Sequence, residues 1–372
     1  MNEIMKLAGT ITEQEKLSGK NPEQFKEFIT KIPKAELHIH IESLMTAADL
    51  LKLNEKYALY PECKTEQDLK EVLGIKKIAN LSEMIQQFLN IQSFIKEEED
   101  FALIGNSILP YMERNNIHYL EGHLAVSSFV KRGLDFNMMM TSLDASLEEI
   151  ARTTGRETGI FIDVSRTFGP ENAMNNLNLL LGYLGTVEKT RILGIGLGGA
   201  EKSGLPETYK EVFAKATAAG LHYVAHAGEE TPYTQIYETL EFLNPERIGH
   251  GVSAFQNEQI MEDLAESQIP LEICPTSNLL TKTFATKMEN HPISTLMEKG
   301  VFLTLNTDDP LLFEVELNQE YVDVYRGSSL SFSDMLTLLL NTIRASFLNN
   351  APKAKLLSKA EKAIQAGLAD LV

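Results

Sequence analysis

Positive charge is scarce in this chain. Its 34 lysines and arginines stand against 52 aspartates and glutamates, for a formal net charge of −18. That balance repels phosphate backbones and anionic headgroups, so neither nucleic acid nor a membrane surface is an expected partner. The acidic residues are dispersed, and the one short run, Glu97-Glu98-Glu99-Asp100, reads as a solvated helix face. Cysteine is almost absent. Cys63 and Cys274 cannot build a disulfide framework, and Cys274, inside an apolar run, is expected to be a buried core thiol. A reduced, cytoplasmic compartment fits that usage. No stretch approaches the roughly 20 apolar residues of a membrane span. Residues Met1 to Lys20 lack the apolar segment of a secretory signal. Internal repeats and low-complexity linkers are missing too.

What is present is a regular alternation. The 372 residues are 43% hydrophobic, enough for a large core. Short apolar runs predict strands at Ala35–Ile39, His118–Glu121, Gly159–Asp163, Ile192–Gly196, His222–Ala225, Arg247–Gly249, Leu271–Ile273 and Val301–Leu305. Helical patterns such as Asn257–Glu266 and Pro292–Lys299 separate most of them. Strand–helix alternation of this kind predicts an α/β fold, a single (β/α)8 TIM barrel domain over residues 1–372. Residues 43–116 exceed what one crossover needs. Met84, Phe88, Ile91 and Ile95 follow helical spacing there, so the segment is read as an extra helical cap inserted after strand 1, over the active-site face. Residues 1–30 are expected to form an N-terminal helix closing the opposite end.

Four motifs end apolar runs: His38-Ile39-His40, His226-Ala227-Gly228-Glu229, Arg247-Ile248-Gly249-His250-Gly251, and Asn306-Thr307-Asp308-Asp309-Pro310. Side chains i and i+2 of a strand share a face, so His38 and His40 project together. His226 and Asp308 also follow strands, at the carboxyl ends where barrel sites collect. Three imidazoles and one carboxylate suit one Zn²⁺ per chain. Strand four, Ile192 to Gly199, has no lysine to bridge a second metal.

A metal-activated water needs partners that move protons. Glu229 lies three residues past His226 across a glycine, able to face the ion without binding it. Its competing reading is a first-turn acid stabilised by a helix dipole, which suits Glu230 better. His250, between two glycines, could orient the attacking oxygen and stabilise charge on it. Asp309, turned away from Asp308, is free to contact substrate. His118 and His222 begin strands at the far face, His291 reads as a turn or helix-start residue, and His123, after Glu121-Gly122, is ambiguous.

Pro33 to His40, His226 to Glu229, Arg247 to Gly251, Cys274 to Asn278 and Thr307 to Pro310 resemble, in order, the signatures of the adenosine deaminase family of the amidohydrolase superfamily. The resemblance spans roughly residues 32–347. It implies a zinc-bearing barrel that deaminates a 6-aminopurine nucleoside. His38, His40, His226 and Asp308 would bind zinc, and Glu229 would protonate the ring nitrogen beside the attacked carbon. His250 and Asp309 would contact the attacking oxygen. Asp309 would also meet the purine, with the backbone of Gly199 facing the ring and His40 and Glu42 lining the substrate side. Three positions depart from the family pattern: Ser43 where a glycine is usual, Gly196 in place of an aspartate in strand four, and Glu121-Gly122-His123 where Glu-x-Arg is common.

The first expected substrate is adenosine, with 2′-deoxyadenosine. The alternatives are a 5′-modified nucleoside such as aminodeoxyfutalosine, and free adenine. Residues Gly199-Ala200-Glu201 look nucleoside-like. A non-catalytic nucleoside-binding protein is the reading from a different class, and the retained ligand set argues against it. Oligomeric state is not legible.

Overall fold

The computed structural model describes residues 2–371, so Met1 and Val372, at the limits of the ranges expected above, lie outside the described residues. Eight strands form one parallel sheet in sequence order: β1 (Lys34–Glu36), β2 (Ile117–Leu124), β3 (Glu157–Asp163), β4 (Ile192–Leu197), β5 (His222–Ala227), β6 (Arg247–His250), β7 (Leu271–Ile273) and β8 (Leu303–Leu305). The seam between β8 and β1 is joined by a bridge from Ile39 to Asp308, with His40 N donating to Asp308 O and Asp308 N to His38 O. Helices stand between the strands, and the architecture is a (β/α)8 TIM barrel.

Most strands differ from the expected ranges by one to three residues at an end, and at β1 and β2 the reasons are identifiable. β1 stops at Glu36 because the chain beyond it serves both neighbours, with Ile39 bridging Asp308 and His40 bridging His123. β2 continues through Gly122 and His123, where the apolar run had stopped. Gly122 does not break this strand. A Cβ there would stand 2.3 Å from Ile41 Cγ2, so the absence of a side chain lets the turn after β1 close against β2. The helix expected over Asn257–Glu266 runs Glu258–Ser267, with Asn257 as the capping residue that accepts from Ile260 N.

The N-terminal segment is two helices, Asn2–Ser18 and Pro22–Lys31, rather than one. Gly19, at φ 83°, ends the first, and Asn21 caps the second. The second helix leads into the amino end of β1. There the buried ammonium of Lys34 donates to the carbonyls of Ile29 and Ile32, each at 2.7 Å.

After β1 come the helices Ala47–Tyr57, Glu66–Leu73 and Leu81–Gln92. Thr46, Thr65 and Asn80 cap them, the two threonines in full capping boxes. The helix Leu81–Gln92 buries Leu81, Met84, Phe88 and Ile91 at 3–4–3 spacing. Ile95 is buried but lies beyond its end. The following helix, Ala102–Arg114, packs on β2 and on the helix Phe136–Thr154, the place of a barrel crossover helix. Among the described residues no helix is long and apolar enough to cross a membrane.

Candidate metal centre and active site

The seam of the barrel brings the expected ligands together. His38 and His40 follow β1, His226 lies in β5, and Asp308 follows β8. The Nε2 atoms of His38 and His40 stand 3.6 and 3.5 Å from Asp308 Oδ1. The ring of His226 lies 4.6 Å from that of His38 and 6.1 Å from that of His40. His38, His40 and Asp308 each turn one ligand atom to a point where all three fall within 4.8 Å of one another. His38, His226 and His250 form an overlapping triple within the same limit. Nε2 of His38, Nε2 of His226 and Oδ1 of Asp308 are buried with no hydrogen-bond partner among the described residues. Each such atom costs about 1–3 kcal/mol when left unsatisfied. Three of them converging is what a cation's ligand set looks like, and imidazoles plus a carboxylate fit a divalent ion.

Asp308 and His250 also carry backbone strain, at φ 67° and 59°, in the left-handed region that side chains disfavour. For Asp308 the seam enforces this, since its N–H and C=O are both committed to the chain after β1. Ser277 Oγ donates to Asp308 Oδ2 at 2.7 Å, which leaves Oδ1 to point at the imidazoles.

A buried charge network stands behind His38. Its Nδ1 meets Glu272 Oε2 at 2.8 Å, Arg247 Nε donates to Glu272 Oε1 at 2.5 Å, and Arg247 Nη2 donates to Glu121 Oε2 at 2.5 Å. Burial opposes the Glu272 charge, but Arg247 and His38 outweigh it and lower its pKa to about 2. With an ion at Nε2, the ionised Glu272 would hold the proton of His38 on Nδ1 and leave the Nε2 lone pair to the ion. Glu272→Gln is therefore expected to weaken metal affinity by about 10-fold or more. Competition with a chelator measures it, and an unchanged affinity would show that His38 needs no such partner.

Glu229 sits in a loop shaped by another carboxylate. Glu201 accepts from the backbone N–H groups of Gly228, Glu230 (2.7 Å) and Thr231 (3.0 Å). The next helix begins only at Thr234, so Glu229 is no first-turn acid, and Glu230 instead pairs with Lys202 at 2.9 Å. Glu229 Oε2 lies 3.7 Å from His226 Nδ1 and 3.6 Å from His250 Nε2, and Oε1 has no partner among the described residues. Burial, then the nearby charges of Asp308 and Glu201, push its carboxyl well above the usual range. Burial lowers the His250 pKa to about 3. Asp309 is buried beside them, its carboxyl raised by burial and by Asp308.

Glu42 is placed differently from the other expected residues. It is fully buried, and its Oε1 accepts from Gln92 Nε2 (2.9 Å) and Ala125 N (2.8 Å). Gln92 and Ala125 line the cavity in its stead. Ser43 Oγ accepts from Leu311 N at 3.1 Å, tying the chain after β1 to the chain after β8.

Sequence reasoning left His123 ambiguous and passed over Asp163. His123 Nδ1 meets Asp163 Oδ1 at 2.8 Å, and Asp163 Oδ2 lies 3.5 Å from His40 Nδ1. A Cβ on Gly196 would stand 2.5 Å from Asp163 Oδ1 and 2.6 Å from His123 Nδ1. The two departures at Gly196 and His123 are thus one arrangement, in which the imidazole–carboxylate pair fills the space a side chain on β4 would take. Their joint occurrence was the available signal. His118 and His222 begin β2 and β5, away from this end. Cys274 is buried, as expected.

One cavity reaches these groups. His40, Asp163, Gly199, His226, Glu229, His250, Asp308 and Asp309 line its inner end. Leu81, Met84, Ile85, Phe88, Leu89 and Phe168 line the rest together with Gln92, Ala125, Ser165 and Thr167, and about 60 Å³ of it is open to the centre of a water molecule.

A parallel barrel with such a cluster at its carboxyl face has the architecture of a metal-dependent hydrolase. The family model described as adenosine deaminase matches residues 33–363, and the chain belongs to that family of deaminating hydrolases. It is 30% identical over 338 residues to an adenine deaminase of Psychrobacter cryohalolentis, covering 91% of this chain and 99% of that one. It is 31% identical over 346 residues to an aminodeoxyfutalosine deaminase of Streptomyces avermitilis, covering 92% and 94%. A crystal structure of adenine deaminase from Arthrobacter aurescens superposes with a TM-score of 0.83 at 26% identity, covering 90% of this chain and 99% of that one. None of these three relatives carries the name of an adenosine-specific enzyme.

Proposed function

We propose that this protein hydrolytically deaminates a 6-aminopurine, with free adenine as the preferred substrate, and that a single zinc ion held by His38, His40, His226 and Asp308 serves the reaction. An ion at that place supplies Lewis-acid activation of water near neutral pH. The chain supplies the rest. Glu229, kept neutral by burial, holds a proton for the ring nitrogen next to the amino-bearing carbon. Protonation there draws electrons from that carbon as the water oxygen adds to it. His250 and Asp309 flank the attacking oxygen, and Asp309 also faces the purine, as does the backbone of Gly199. The C–N bond to the amino group then breaks, and ammonia leaves with the proton it needs from the water. The product is the 6-oxopurine.

The chemistry of the cavity wall carries the choice of substrate. A ribose brings hydroxyls that must find partners, and each left dry costs about 1–3 kcal/mol. Beyond the inner end the wall is largely hydrocarbon. The polar side chains that interrupt it each have at least one partner of their own. Gln92 Nε2 donates to Glu42 and to Ala125 O, while Thr167 Oγ1 and Ser165 Oγ accept from Ala200 N and Thr167 N. The adenine deaminase relatives agree with this reading, which replaces adenosine as the first expectation. A nucleoside extended at the 5′ position by an apolar group is the second reading, favoured by the same hydrocarbon wall and by the aminodeoxyfutalosine deaminase relative.

Ammonia release from zinc-loaded protein, measured on adenine, adenosine, 2′-deoxyadenosine and a 5′-aryl-extended nucleoside, decides between them. We expect kcat/KM for adenine to exceed that for adenosine by at least about 10-fold, the equivalent of one unpaired hydroxyl. A higher value for either simple nucleoside contradicts the proposed specificity, and a higher value for the extended nucleoside establishes the second reading.

A further inference from the structure

His291 is the one histidine outside the cluster that is buried, and nothing above gives it a role. It lies just before the helix Ile293–Glu298, and the backbone N–H of Ile293 donates to its Nδ1 at 3.1 Å. A backbone N–H can only donate, so His291 Nδ1 carries no proton and the ring is neutral with its proton on Nε2. Burial, which lowers its pKa to about 4, agrees. His291 Nε2 faces Asn278 Oδ1 at 3.3 Å, and that contact is therefore a donation to the amide oxygen. The amide orientation follows, because the reverse would set two N–H groups against each other. Asn278 Nδ2 then faces His250 Nδ1 at 3.2 Å and donates to it. His250 Nδ1 is the acceptor, and its single proton sits on Nε2. That nitrogen points into the site, buried, 3.6 Å from Glu229 Oε2 and 4.0 Å from Asp308 Oδ2.

We propose that His291 and Asn278 are positioning residues that transmit the direction of one backbone N–H to His250 and hold it as an Nε2–H donor aimed into the active site. Two consequences follow. A nitrogen that carries a proton has no lone pair for a cation, so His250 stays outside the ligand set although it lies within reach of His38 and His226. The same N–H is a fixed donor to the attacking oxygen, a preorganised group of the kind whose removal costs about 10²–10³ in kcat. The second consequence rests on the proposed deaminase reading; the first does not.

The test reads the tautomer directly and the chemistry separately. Imidazole ¹⁵N NMR spectra are recorded on zinc-loaded wild type and on Asn278→Asp, His291→Gln and His291→Leu. In the wild type we expect the His250 proton on Nε2. Asn278→Asp replaces the donor by an acceptor of the same shape and should move that proton to Nδ1. His291→Gln can still donate to Asn278 and should keep the wild-type tautomer, whereas His291→Leu cannot. In activity, Asn278→Asp and His291→Leu should lose about 10²-fold in kcat with KM little changed, and His291→Gln should recover most of what His291→Leu loses. A wild-type His250 protonated on Nδ1 overturns the proposal, even if the variants fail to fold. So does an Asn278→Asp protein that folds and keeps both its tautomer and its kcat. If the tautomer shifts as expected while kcat holds, the relay stands and the deaminase role given to His250 fails.

Discussion

Glu229→Gln is expected to lose turnover by about 10²–10⁴-fold, the contribution of a positioned acid–base group, while still loading one zinc per chain and binding a purine. The amide matches the carboxyl in shape and can donate, but it cannot deliver a proton to the ring and take another from water. Glu201 holds the loop through backbone donors, so the substitution leaves that frame intact. The loss should fall on kcat, with KM nearly unchanged, because a proton transfer operates in the transition state. Near-normal kcat would remove Glu229 from the assigned role. A large rise in KM alone would make it a binding group.

Asp308→Ala attacks the centre from the other side. It removes the carboxylate that Nε2 of both His38 and His40 face, and it frees the Ser277 hydroxyl. The remaining imidazoles make a weaker site, and we expect zinc to be lost on dialysis and activity to fall to background. Alanine must also adopt φ near 67°, so some loss of thermal stability accompanies the change. Asp308→Asn provides the control, since it keeps size and a local hydrogen bond yet removes the charge. Full zinc occupancy in both variants would show that Asp308 is not a ligand. Zinc loss restored by high external zinc, with partial recovery of rate, is the expected pattern.

Much of this site was legible because it depends on residue type at strand ends. His38-Ile39-His40, His226, His250 and Asp308-Asp309 each follow an apolar run, and a parallel barrel gathers such positions at one face. The strand count was legible for the same reason. What could not be read was anything set by the closing of the seam. β1 is three residues long because His40 and Ile39 serve opposite neighbours, a fact of register rather than of local pattern. His123 stayed ambiguous because the apolar run stops at Glu121, whereas the strand continues past Gly122, a point of close approach to Ile41. The partners that orient the site residues were hidden more deeply. Glu272 to His38, Ser277 to Asp308 and Asn278 to His250 join residues far apart in sequence, and nothing in a periodicity marks them. The substrate side suffered most. Glu42 was expected as a sugar contact, but it does not line the cavity, and its Oε1 is held by Gln92, from a helix fifty positions onward.

The central claim is that one cation is held at the barrel mouth by His38, His40, His226 and Asp308. Diffraction from crystals of zinc-loaded protein, measured on both sides of the zinc absorption edge, tests it directly. The account predicts a single anomalous peak per chain, bound by Nε2 of His38, Nε2 of His226, a ring nitrogen of His40 and Oδ1 of Asp308, with His250 outside bonding distance. A peak ligated by His250 or His123 in place of His40 and Asp308, or no peak in fully loaded crystals, would contradict it.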